Sequence, residues 1–229
     1  RERAFYDAQV LLEAGFSGFV LENFGDAPFV RGAVEPHIAT MMTRIALEIS
    51  NTVGLSLGIN VLRNDARTAL AIAETVGAEF VRINIHTGAA WTDQGLIQGN
   101  AYDTLQYRRQ IGSNVQIIAD VMVKHATPAG TRTLVDAAKD TVHRGLADAL
   151  IVTGQATGSS VNWSEVEVLR STCPNVPIWI GSGINSENIA QAKLVADVVI
   201  VGTHFHKDSD LTLPLDLKRI QDFMKSLMG

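Results

Sequence analysis

Short runs rich in valine and isoleucine alternate along the chain with longer stretches whose apolar residues recur every three or four positions. The runs cover residues 17–23 (SGFVLEN), 56–61 (SLGINV), 80–85 (FVRINI), 115–121 (VQIIADV), 149–153 (ALIVT), 177–180 (PIWI) and 198–201 (VVIV). Their near-continuous apolarity is that of parallel strands covered on both faces. Helical periodicity marks residues 3–14, 35–53, 65–76, 102–111, 130–144, 163–171, 186–195 and 214–228. In the last of these, Leu217, Ile220, Phe223, Met224 and Leu227 form one apolar stripe. Gly15, Gly54, Gly77, Gly112 and Gly145 follow helices and lead into strands, positions that favour a left-handed cap.

Seven strands alternating with eight helices of similar length predict an α/β fold, specifically a (β/α)8 TIM barrel. A helix comes first, so the barrel is expected to lack its first strand in this chain. No shift in composition marks a second domain, and residues 1–229 are read as a single TIM-barrel domain. Residues 86–101 (HTGAAWTDQGLIQGNA) break the rhythm without a clean period of their own. A stretch of that length after a strand is expected to be a lid or binding loop, with Trp91 and Asp93 reaching over the strand ends.

Composition narrows the function classes. The net charge of −5 argues against a nucleic-acid surface, which would present a basic face. No apolar run reaches the ~18 residues of a transmembrane segment, and the opening Arg1-Glu2-Arg3-Ala4-Phe5 reads as a helix rather than a signal peptide. The chain is therefore read as soluble and intracellular, in cytosol or organelle. One cysteine, Cys173, allows no intrachain disulfide, which fits a reducing compartment. Asn162-Trp163-Ser164 matches a glycosylation sequon that matters only in a secreted protein. Barrels of this kind often form homo-oligomers, but no stripe here identifies an interface.

In a barrel, chemistry sits at the C-terminal strand ends and in the loops that follow. Those positions are unusually polar here: Glu22-Asn23, Asn60 followed by Arg63-Asn64-Asp65, Arg82 with Asn84, Asp120 followed by Lys124-His125, and Thr153-Gly154. The seventh and eighth strands lead into Gly181-Ser182-Gly183 and Gly202-Thr203. Paired glycine turns at those two places are where such barrels hold a phosphate, on backbone amides. Alternation puts Asp120 on the same face as Ile118, and Arg82 on the same face as Asn84. A buried arginine needs a carboxylate from a neighbouring strand beside it. Glu22 and Asp120 are candidates to divide acid and base roles, or to share a divalent cation such as magnesium. Asn60 and Asn84 would orient hydroxyls, and Lys124 or Arg63 would stabilise developing negative charge. Lys124 as a Schiff-base former is the weaker alternative. No metal site is assigned, although His204, His206 and Asp208 have a spacing that a metal would tolerate.

The stretches VLENFGDAPF, LGINVLRND, FVRINIHTGAAWTDQGLIQGNA, IADVMVKHA, ALIVTGQATG, IWIGSGINSENI and ADVVIVGTHFHKD, in this order, resemble the BtpA/SgcQ family over nearly all 229 residues. The family's usual opening, a strand and loop reading roughly VHLxPLPGSP, has no counterpart here. The resemblance implies a barrel of the ribulose-phosphate-binding group, and a link to photosystem I biogenesis or to genes of sugar transport. It carries over Glu22, Asn23, Asn60, Arg63, Asp65, Arg82, Asn84, Asp93, Asp120, Lys124, both glycine turns and Thr203. The expected function is binding of a phosphorylated sugar or nucleoside at the C-terminal rim, with proton transfer or bond cleavage on it, as in an isomerase, a lyase or a glycosidic-bond-cleaving enzyme. The alternatives are a non-catalytic assembly factor that keeps the phosphate cradle and, more weakly, a nucleotide or flavin phosphate binder.

Overall fold

The computed structural model describes residues 2–123, 125–154 and 161–228. The first half of the chain runs α1 (Glu2–Glu13), β1 (Gly18–Glu22), α2 (Pro36–Val53), β2 (Ser56–Asn60), α3 (Ala66–Val76), β3 (Phe80–Ile83), β4 (Ala89–Thr92) and β5 (Gly95–Gln98). Then follow α4 (Ala101–Gln110), β6 (Gln116–Asp120), β7 (Ala126–Pro128), α5 (Leu134–His143) and β8 (Ala149–Val152). The chain closes with α6 (Trp163–Thr172), β9 (Ile178–Ile180), α7 (Ile189–Val195), β10 (Val198–Val199) and α8 (Leu217–Met228).

The seven strands expected from the pattern form one parallel sheet in the order β1-β2-β3-β6-β8-β9-β10. It curls into an open barrel: β1 and β10 do not pair, yet residues of both line a single cavity of about 800 Å³. The seam between them is the place an eighth strand would occupy, as the alternation predicted.

Most of the core lies outside the barrel, where strand residues such as Leu57, Ile59, Val81 and Ile117 pack against α2 and α3. A second large cluster joins Leu150, Val152, Ile178 and Ile180 to α5, α6, α7 and α8. The barrel interior is a smaller cluster of Phe80, Ile118, Ala149 and Ile151, with Val20, Trp179 and Ile200 beside it. Phe80 fills that space because Gly58 on the neighbouring strand has no side chain; a Cβ there would meet the Phe80 ring at 2.2 Å.

Three helices begin later than their periodicity suggests, and in each case a side chain upstream holds the first amides. Thr133 accepts the amide of Asp136 ahead of α5, and Asp216 accepts those of Lys218 and Arg219 ahead of α8. Asn185 accepts the amides of Glu187 and Asn188 ahead of α7. The expected glycine caps at Gly15, Gly54, Gly77 and Gly112 have positive φ. After α5 the left-handed residue is instead Leu146, and Gly145 is there for space, since its Cβ would sit 2.7 Å from both Thr141 O and Thr87 Cγ2.

Residues 86–101 are not the irregular loop the sequence suggested. They contain the hairpin β4–β5, and β7 pairs antiparallel with β4 from 25 residues or more downstream. Ala90, Ile97, Ile85 and Val123 form a satellite core beneath this three-stranded sheet. Trp91, on the opposite face, is exposed and does not close over the strand ends. Among the described residues no helix is long and apolar enough to cross a membrane.

His86 anchors the start of this excursion. It is buried, and its Nε2 donates to Gly145 O at 2.8 Å while Nδ1 has no partner among the described residues. Burial pulls its pKa below the ordinary 6.5, chiefly because there is no water to solvate the imidazolium. The folded state therefore binds fewer protons than the unfolded chain as pH falls through 6.5. Stability contributed at neutral pH should be lost below that point, and an His86→Gln variant should show a flatter melting temperature between pH 7 and pH 5.

Candidate functional site

The parallel register assembles a polar layer at the C-terminal ends of the first strands. Glu22 pairs with Asn60 across β1 and β2. Ile83 pairs with Ala119, which brings Asn84 opposite Asp120 just beyond the paired ends of β3 and β6. Arg82 stands at the centre with about 5% of its side chain exposed. Its Nε donates to Asp120 Oδ1 at 2.9 Å and its Nη2 to Asp120 Oδ2 at 3.0 Å, a two-pronged pair with a fully buried carboxylate. Its Nη1 reaches Glu22 Oε1 at 3.4 Å, and Asn60 Nδ2 donates to that same oxygen at 3.0 Å. Asn84 Nδ2 donates to Asp120 Oδ2 at 3.1 Å. Burial alone would depress the Arg82 pKa, but Asp120 and Glu22 outweigh it and hold the guanidinium charged, with its pKa above the usual range.

The two carboxylates are therefore not equivalent. Both oxygens of Asp120 are taken. Among the described residues Glu22 is bonded through Oε1 only, and a quarter of its side chain is exposed to the 800 Å³ cavity. Arg82 stands between them, in the place a shared magnesium ion would need. Among the described residues no three His, Cys, Asp or Glu side chains gather as a metal site. His204 and His206 go separate ways, the first to Ser186 Oγ and the second to Leu213 O.

Gly181 lines the large cavity and also packs against this layer. Its amide donates to Val152 O in the sheet, and a Cβ would lie 2.5 Å from Ile151 Cγ2 and 3.3 Å from Arg82 Nη2. The missing side chain makes room first for Ile151, and then for Thr153 and the guanidinium. Beyond it, Ser182, Gly183, Gly202 and Thr203 all line the large cavity together with Glu22 and Arg82. None of their four amides donates to a described residue. Gly183 has φ of +80°, and its carbonyl is held by Asn188 Nδ2 at 2.8 Å. Ser182 Oγ accepts the Gly154 amide, and the Ser186–His204 hydrogen bond of 3.1 Å fastens the two turns to each other. Burial lowers the His204 pKa, with Arg219 adding to the effect.

Other expected site residues hold the frame. Asn23 clamps the loop after β2, accepting the Leu62 amide at 2.7 Å. Asp65 caps α3, accepting Thr68 N at 3.0 Å, and also takes Val34 N at 2.9 Å. Arg63 is buried, and burial lowers its pKa against the opposing pull of Asp93 and Asp120. Asp93 is exposed at the hairpin turn and hydrogen-bonded to Gln94. His125 is exposed with φ of +54°, and Thr153 is buried beside the Gly181 position. Lys124 lies outside the described residues. Arg132 escaped the sequence reading altogether: it lines a small cavity with Asn84 and Asp120 and is paired with Asp140. Only the pairing of β7 with β4 brings it there, and no local motif announces that.

An incomplete parallel barrel with this polar C-terminal rim is a TIM-barrel protein. The solved structures it resembles agree. One is phosphoribosyl anthranilate isomerase from Thermus thermophilus, with a TM-score of 0.62 and 12% identity over 98% of this chain and 94% of that one. Another is orotidine 5′-phosphate decarboxylase from Pyrococcus horikoshii, with a TM-score of 0.61 and 15% identity over 100% and 94%. At those identities the likeness is one of fold. The chain belongs to the BtpA family, whose model it matches over residues 1–229. It is 45% identical to the photosystem I biogenesis protein BtpA of Synechocystis sp. over 226 residues, 99% of this chain and 79% of that protein. It is also 41% identical to an uncharacterized protein of Pyrococcus furiosus over 231 residues, 100% and 87% of the two chains.

Replacing Arg82 by Met leaves Asp120 buried without its cation, and should cost about 3–5 kcal/mol in urea unfolding. Adding Asp120→Leu to that variant should restore much of the loss, since the unpaired charge goes with it. Asp65→Ala should cost about 1 kcal/mol, the usual worth of a helix cap.

Proposed function

We propose that the chain binds a small phosphorylated ligand at the C-terminal rim, and that Glu22 transfers a proton to or from it. The observation that carries this reading is that Ser182, Gly183, Gly202 and Thr203, whose amides donate to no described residue, line one cavity with Glu22 and Arg82. Several backbone donors on one wall suit an anion that needs several hydrogen bonds at once. The helix that follows, α7, has only seven residues, so the amides rather than a helix dipole do the holding.

Glu22 is the proton carrier because its Oε2 bonds no described residue and the side chain has some access to solvent. Asp120 acts at one remove: it fixes Arg82, whose Nη1 is its least committed donor and is placed to meet negative charge developing on the ligand. Asn60 holds Glu22 Oε1 and so aims Oε2. The structural neighbours are, by their names, an isomerase and a decarboxylase of phosphate-bearing compounds, which supports a reaction of proton transfer or bond cleavage on a sugar or nucleoside phosphate. A second reading has its own support in the 45% identity to a photosystem I biogenesis protein: a factor that keeps the cradle and turns nothing over.

Melting temperatures with inorganic phosphate, sugar phosphates and the unphosphorylated sugars test the cradle. Ligand at about 100 times its Kd stabilises by about 2.7 kcal/mol, or roughly 5–10 °C for a chain of this size. Thr203→Glu, which sets a carboxylate among the amides, should abolish the shift. No rise with any phosphate would overturn the reading. Glu22→Gln should leave the shift in place and abolish turnover of a substrate found in this way; a chain that binds phosphates and turns none over would favour the assembly factor.

A further inference from the structure

The amides of the cradle sit on two turns that follow different strands, Ser182 and Gly183 after β9, Gly202 and Thr203 after β10. The last backbone hydrogen bond between those strands runs from the Ile200 amide to Ile180 O at 2.8 Å. Beyond it, among the described residues, the turns are tied by a single hydrogen bond, the 3.1 Å contact of His204 Nε2 with Ser186 Oγ. His204 directly follows Thr203 and lines the same cavity as the four amides. Its own amide also donates to no described residue.

This clasp accommodates both charge states of the ring. A serine hydroxyl donates or accepts, so Ser186 pairs with a neutral imidazole and with an imidazolium alike. A carboxylate in its place would hold the ring charged, and a backbone N–H would hold it neutral. The surroundings therefore decide. His204 is half-buried, with the Phe205 and Phe223 ring centroids 5.8 and 6.1 Å away. Two charged groups act on it: Arg219 of α8, whose Nη1 donates to His204 O at 3.1 Å, and Glu187 ahead of α7. Burial and Arg219 outweigh Glu187, so the ring of the free chain is neutral at neutral pH. A doubly charged anion on the turns reverses that balance, because its two negative charges oppose the one positive charge of Arg219.

We propose that His204 is the positioning residue of the cradle and couples it to pH: a doubly charged anion on the two turns is bound together with a proton that the imidazole takes from solvent. The inference rests on the phosphate reading of the rim and adds the kind of anion it favours. The neutral ring carries one N–H, and the incoming proton goes to its other nitrogen. Nε2 then donates to Ser186 Oγ, and the clasp between the turns is kept. A phosphate monoester, which carries its second charge near neutral pH, suits this site. A diester, with one charge, compensates less for charging the ring. Because the proton is a co-ligand, binding strengthens as pH falls and weakens as it rises.

The test is calorimetric titration of sulfate, doubly charged throughout the range, from pH 6 to pH 8 in buffers of different ionisation enthalpy. Wild type should take up protons with sulfate at pH 7, and bind it about tenfold more tightly at pH 6 than at pH 8. His204→Gln keeps a partner for Ser186 but cannot titrate; it should bind within about twofold of wild type at pH 8 and show no pH dependence. His206→Gln and Glu22→Gln alter other titratable groups on the cavity and should keep the dependence. If His204→Gln does not fold, NMR of the wild-type His204 ring replaces it, and the titration midpoint should rise on adding sulfate. A flat wild-type profile, a profile that survives His204→Gln, or a midpoint that does not move overturns the coupling and leaves the cradle standing. Loss of the dependence in His206→Gln or Glu22→Gln overturns the assignment to His204. If neither sulfate nor inorganic phosphate binds wild type at any pH, the cradle reading falls and the coupling with it.

Discussion

Arg82 is a charged side chain standing inside a barrel, and the rim is organised around keeping it there. Removing an ion from water costs several kcal/mol even after the surroundings relax. Two parallel hydrogen bonds to Asp120 and a longer one to Glu22 offset that cost. Each neighbour then has its own requirement. Asp120 must be on β6 at the level that faces Arg82, which the β3–β6 register provides. Asn60 and Asn84 satisfy lone pairs that the guanidinium does not reach. Even the turn after β9 is shaped by it, through the empty Cβ position at Gly181.

The same arrangement sorts groups that look interchangeable on paper. Two carboxylates and two asparagines surround the arginine, but Asp120 and both asparagines are buried while Glu22 lines the open cavity. The difference is not chemical identity. It follows from how many partners reach each oxygen, which is decided by strand order and by what covers the mouth.

Much of this was legible beforehand. Alternation put Arg82 with Asn84 on one face of their strand and Asp120 with Ile118 on one face of theirs, and the requirement for a carboxylate beside a buried arginine pointed to a neighbouring strand. The glycine turns were visible as composition, but their division of labour was not: Gly181 and Gly183 differ in what surrounds them, and a sequence shows no surroundings. Asp65 and Asn23 looked like site residues because they sit at strand ends, yet their side chains are consumed by backbone amides within hydrogen-bond reach. The hairpin at 89–98 was hidden because its strands are four residues each and its third partner, β7, is three residues long and distant in the chain. Pairing between short segments leaves no periodicity to detect.

The empty Cβ position at Gly181 has a consequence for descent within the family. Position 181 is locked first by Ile151: an alanine there is the smallest of changes in composition, but it presses on Ile151, and less closely on Thr153 and the guanidinium. A lineage that lost the arginine would release Asp120 to become apolar, yet position 181 would vary only if Ile151 gave way as well. Positions 82 and 120 should therefore drift as one pair and 181 with 151, each silent about its partner in a single chain and correlated across many.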